Sequence, residues 1–132
     1  MTRILIALFL TFTLTSCATK TGQDLKEVDK YPPISWTVNQ PIQEVYKAYK
    51  DHAEKNLSGG DFLWSGGLRV RSDFYGMEEG ADLEVKMEGN PLAPVTYLRF
   101  ELSKSGTGTN IRAWYYNNPW RHRAEEFRDD IF

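Results

Sequence analysis

Few residues in this chain could do chemistry, and they do not form a set. There is one thiol, Cys17, and there are two imidazoles, His52 and His122. No serine lies in a Gly-x-Ser-x-Gly turn that would present it as a nucleophile, and neither histidine belongs to a spaced metal motif such as His-Glu-x-x-His. Glu125-Glu126 and Asp129-Asp130 recur at helical spacing and would suit a hard cation, but a solvated helix face accounts for them equally. Gly106-Thr107-Gly108-Thr109 lacks the lysine and the following helix of a phosphate loop and reads as a hairpin turn. Paired carboxylates acting on peptidoglycan would be the remaining enzymatic chemistry, and no suitable pair can be placed. The expectation is therefore a protein that is not an enzyme, with no metal and no cofactor.

The lone cysteine follows a short leader. Arg3 is succeeded by the mainly apolar run Ile4 to Leu14. A bilayer-spanning helix needs about 20 apolar residues, whereas a cationic start, a run of about 7–15 apolar residues and small residues after it make an export signal. Leu14-Thr15-Ser16-Cys17 resembles the lipobox of bacterial lipoproteins. The resemblance implies cleavage before Cys17, lipid (palmitate among the acyl chains) on that cysteine, and residence in the cell envelope. Each buried methylene contributes about 0.8 kcal/mol, so two or three acyl chains anchor durably. No second cysteine exists to pair with it. In that family the residue after the cysteine steers sorting, and if the host is Gram-negative Ala18 implies the outer membrane, periplasmic face.

About 115 residues remain after the leader, enough for a single domain. Removing Arg3 leaves 15 basic against 18 acidic side chains, which argues against a nucleic-acid partner. Residues 17–33 are polar and end in Tyr31-Pro32-Pro33, the pattern of a lipidated cysteine and flexible tether with an r.m.s. span of roughly 20–25 Å.

The domain is expected over residues 34–132. Ile34, Trp36 and Val38 alternate with Ser35 and Thr37 as a short strand. Ile42, Val45, Tyr46, Tyr49 and Ala53 fall at helical spacing, so a helix runs over about 41–56, with Pro41 in its first turn and Asn39 as cap. Residues 57–67 form a glycine-rich loop with room for one short strand. Four runs of period 2 follow, over 68–75, 81–88, 95–102 and 109–116, separated by Glu78-Glu79-Gly80, Gly89-Asn90-Pro91 and Ser105 to Gly108. Asn118 and Pro119 read as N-cap and N1 of a last helix with Trp120, Ala124, Phe127 and Ile131 on one stripe. The expected fold is α+β, order β-α-β-β-β-β-α: a two-layer sandwich of an antiparallel sheet with two helices on one face.

Alternation divides the sheet. Leu68, Val70, Phe74, Leu83, Val85, Met87, Leu98, Phe100, Leu102, Ile111, Ala113 and Tyr115 are expected inside. The opposite face then carries Arg69, Arg71, Tyr97, Arg99, Arg112, Trp114 and Tyr116, beside Glu84, Lys86 and Glu101. Cross-strand pairing explains such a face at roughly 0.2–1 kcal/mol per pair. It is also the composition of a recognition surface, since Trp, Tyr and Arg dominate binding hot spots.

In layout, a strand, the helix opening Pro41-Ile42-Gln43-Glu44-Val45-Tyr46 and a sheet ending in Gly108-Thr109-Asn110-Ile111 make the chain similar to small envelope lipoproteins. More widely it resembles helix-grip domains, in which a sheet wraps a C-terminal helix and often encloses a lipid. Two functions follow. One is a membrane-anchored, non-enzymatic binding or structural module that docks an envelope protein or glycan. The other is a small carrier of a lipid or hydrophobic ligand between sheet and helices.

Overall fold

The computed structural model describes residues 22–26, 30–62, 65–87 and 95–132. The leader, Cys17, most of the tether and the Gly89-Asn90-Pro91 turn lie outside the described residues. The elements are α1 (Gly22–Lys26), β1 (Ile34–Val38), α2 (Ile42–Asn56), β2 (Gly59–Phe62), β3 (Ser65–Gly76), β4 (Gly80–Met87), β5 (Val95–Ser105), β6 (Gly108–Tyr115) and α3 (Asn118–Asp130). The architecture is mixed α+β.

The six strands form one sheet in the order β1-β6-β5-β4-β3-β2, and every neighbouring pair is antiparallel. Strands β2 through β6 follow one another across the sheet in chain order, while α2 lies between β1 at one edge and β2 at the other in the chain. The sequence alone could not show that β1 closes against β6, with Trp36 opposite Ile111, because that pairing spans almost the whole domain.

The inward residues behave as alternation predicts over the sheet centre. Leu83, Val85, Leu98, Phe100, Leu102, Ile111, Ala113 and Tyr115 are buried in one cluster with Ile42, Val45, Tyr49 and Ala53 of α2 and Ala124 and Phe127 of α3. The rings of Tyr49, Phe100 and Phe127 meet at centroid separations of 5.5, 5.1 and 4.6 Å, filling the space between helices and strands. At the periphery the prediction weakens. Leu68 and Val70 are half-buried against the cluster, Met87 is half-buried, and Phe74 is exposed, with the Tyr46 ring 5.3 Å away. Phe74 sits at the end of the long β3–β4 hairpin, beyond the reach of the core.

Three local expectations are corrected. Pro41, not Asn39, caps α2, its carbonyl accepting from the Glu44 and Val45 amides at 3.0 and 3.1 Å. The cap of α3 is Asn117, whose extended backbone lets Oδ1 accept from the Trp120 amide at 3.2 Å. Asn118 is already helical, and Pro119 falls one position further in than expected. Two adjacent asparagines made the register ambiguous by one. Finally, residues 22–26, inside the stretch read as tether, form a short helix seated on β5 and β6.

Candidate functional site

Register places the polar face. Opposite Leu83 and Phe100, the side chains of Asp82, Glu84, Arg99 and Glu101 emerge on the other side of β4 and β5, with Arg112 paired to Glu101 across β6. Arg99 stands at the centre. Its guanidinium donates to Glu84 Oε1 at 2.6 Å, to Asp82 Oδ2 at 3.1 Å and to Glu101 Oε1 at 3.2 and 3.3 Å. The side chain is 17% exposed. Burial opposes its charge, but the carboxylates of Asp82, Glu84 and Glu101 outweigh that and hold its pKa above the ordinary arginine value. Arg99 was expected as a recognition residue; its fork is filled by three partners within the sheet, so it acts as the post to which this face is tied.

Beside the post, bordered by its partners Asp82 and Glu101, lies a groove of about 750 Å³ on the outward face of β1, β6, β5 and β4. Its floor is a row of neutral hydrogen-bonding groups, Ser35 and Thr37 of β1, Asn110 of β6 and Ser103 of β5, with the Thr37 hydroxyl donating to Asn110 Oδ1 at 2.7 Å. Arg112 and Glu101 line one part and Tyr75, Glu79 and Asp82 another. Tyr75 reaches the wall because the β3–β4 register shifts between Phe74 and Gly76, making it the extra residue of a bulge. Its hydroxyl donates to Asp82 Oδ2 at 3.0 Å, which holds its own pKa above the usual tyrosine value. A smaller recess of about 310 Å³ continues past Tyr75, between Arg71, Asp73, Glu84 and Arg99.

The seven residues expected on this face do not act together. Arg112 opens into the groove, and Arg71, 3.9 Å from Asp73, lines the recess. Arg69 is exposed further along β3, donating to the Leu68 carbonyl at 3.2 Å. Tyr97 is half-buried, stacked on Trp120 at 5.0 Å and edge-on to Tyr116 at 5.4 Å, an aromatic cluster that secures the start of α3. Trp114 is the clearest correction: it is only 5% exposed, because Lys26 of α1 lies over its ring at 5.0 Å while Arg112 flanks it at 5.9 Å.

Sequence reasoning missed Ser35, Thr37, Ser103 and Asn110. The period-2 pattern signalled their orientation, but not that β1 and β6 lie side by side. The remaining chemistry-bearing candidates lie elsewhere. His52 packs its ring on Phe127 at 4.6 Å, and His122 is exposed beside Glu125 at 3.2 Å. The acidic run of α3 is matched by its own arginines: Arg121 on Glu125 at 3.0 Å, Arg123 on Glu126 at 3.2 Å and Arg128 on Asp129 at 2.7 Å. The bonds from Arg121 and Arg128 hold Glu125 and Asp129 below the ordinary carboxylate range. Among the described residues no cluster of three or more His, Cys, Asp or Glu could hold a metal ion, and no helix is long and apolar enough to cross a membrane. No family model and no curated protein matches the chain.

Proposed function

We propose that the protein is a lipid-anchored, non-enzymatic binding module of the bacterial envelope, which docks an envelope partner in the groove on the outward face of its sheet. The observation that carries this reading is the groove itself. A sheet face built only for solubility has no need of a concave, hydrogen-bonding floor bordered by two carboxylates, Asp82 and Glu101, that are themselves fixed by Arg99. Such preorganisation lowers the ordering cost of binding. The anchor follows from the Leu14-Thr15-Ser16-Cys17 pattern.

On this reading the sheet and the helices α2 and α3 on its inner face make two layers, with α1 over part of the outer face and the groove beside it left for a partner. The position of β1 beside β6, with a helix at the C-terminus, supports the helix-grip likeness in layout. The carrier alternative needs room between sheet and helices, and the rings of Tyr49, Phe100 and Phe127 occupy that room. The reading is tested by filling the groove. Asn110→Trp should leave the unfolding midpoint nearly unchanged and abolish recovery of the partner that co-purifies with the wild-type protein from native membranes. Undiminished recovery with the groove filled would contradict it.

A further inference from the structure

The outward face already has one occupant, and its chemistry is informative. Helix α1 has only five residues, too few to be stable alone, so its conformation depends on the surface beneath it. Two adjacent side chains illustrate the contact. Leu25 is 3% exposed. Lys26 places Nζ 2.5 Å from Glu101 Oε1 and 5.0 Å from the centre of the Trp114 ring, so the ammonium is shared between a carboxylate and an aromatic face.

The seat would survive without α1. Glu101 Oε1 also accepts from Arg99, which is held independently by Glu84 and Asp82, and the Trp114 backbone is fixed in the ladder opposite Arg99. The seat also adjoins the groove, since Glu101 and Arg112 line the groove while Lys26 and Trp114 meet beside them. A chain lying along the groove therefore runs into α1.

We propose that this seat, floored by Trp114 and walled by Glu101 and Arg112, is an exchangeable docking site for a peptide segment carrying an apolar residue followed by lysine, and that α1 is the copy of that segment which the chain supplies to itself. A partner entering the groove displaces α1 and puts its own lysine on Glu101 and Trp114. This rests on the groove being the docking face and names the chemistry of the segment that binds there.

The test uses the mature chain with Cys17→Ser, followed through the Trp114 indole N–H resonance, identified by its loss in Trp114→Phe. Replacing Leu25 and Lys26 together by Ser should shift that resonance and speed its exchange with solvent. Millimolar acetylated and amidated peptide of residues 22–26 should then return it toward the wild-type position in a saturable way, and the same peptide with glutamate for lysine should not. An indole unmoved by the double substitution, or moved but insensitive to the lysine peptide, would overturn the proposal. Lys26→Glu alone, which sets two carboxylates against each other while keeping Leu25, should shift the resonance in the same direction. No groove ligand is present in this experiment, so its failure is distinct from failure of the groove to bind an envelope partner.

Discussion

Arg99, at the centre of the outward face, and Tyr49, in the core, each carry a measurable prediction. Removing the guanidinium in Arg99→Met leaves Asp82, Glu84 and Glu101 facing one another without their shared cation. For a partly exposed cluster the expected loss is about 1–3 kcal/mol at pH 7, between the values for surface and buried pairs. Urea unfolding of the variant against wild type checks it. Tyr49 is fully buried, and burial pushes its hydroxyl up to about 12 from an ordinary 10, against the opposing effect of the bond it accepts from Trp36 Nε1 at 3.0 Å. A raised folded-state value means that the stabilisation is complete below pH 10 and is lost as pH rises from 10 towards 12, by about 2–3 kcal/mol in total. Tyr49→Phe should flatten stability over that window, and a slope equal to wild type would contradict the assignment. Alternation alone placed Arg99 and Arg112 on the outward face. It could not reveal that Trp114 is covered, since the cover is Lys26, far earlier in the chain and within a stretch whose composition reads as solvent-exposed.

At the scale of elements, the sheet depends on close approaches that only glycine permits. Gly80 opens β4 with φ +99°, and a Cβ there would lie 2.5 Å from the Leu102 carbonyl oxygen of β5. Gly80→Ala therefore combines a left-handed strain with a backbone clash and should cost at least about 2 kcal/mol, visible as a lower urea midpoint. Gly76, in the same turn, has open space around its Cβ position, so its substitution carries the strain without the clash and should cost less. The long elements were legible because their periods are strong: Ile42, Val45, Tyr49 and Ala53 give α2 its buried stripe, and alternation from Val95 to Leu102 gives β5. The short ones were not. Helix α1 owes its form to the surface it sits on, and β2, with two glycines in four residues, has no periodicity to read and is a strand because β3 offers it an edge.

For the whole molecule, the proposed anchor at Cys17 and the proposed docking face are separable claims. Cys17→Ser should release the protein from the membrane fraction while leaving its unfolding midpoint unchanged, because the described core lies entirely between α1 and α3. The groove was only half legible. Its charged rim followed from the outward residues of β3 to β6, but its neutral floor needed β1 and β6 to be neighbours, a pairing between the two ends of the domain that local pattern does not encode. The central claim, that the partner binds the outward face of the sheet, is tested most directly by a photo-crosslinking side chain placed at Thr37 or Ser103 in the groove, or at Arg123 on the exposed side of α3, in the native host. A discrete adduct is expected from both groove positions, lost on Asn110→Trp, and none from α3. An adduct from Arg123 with none from Thr37 or Ser103 would contradict it.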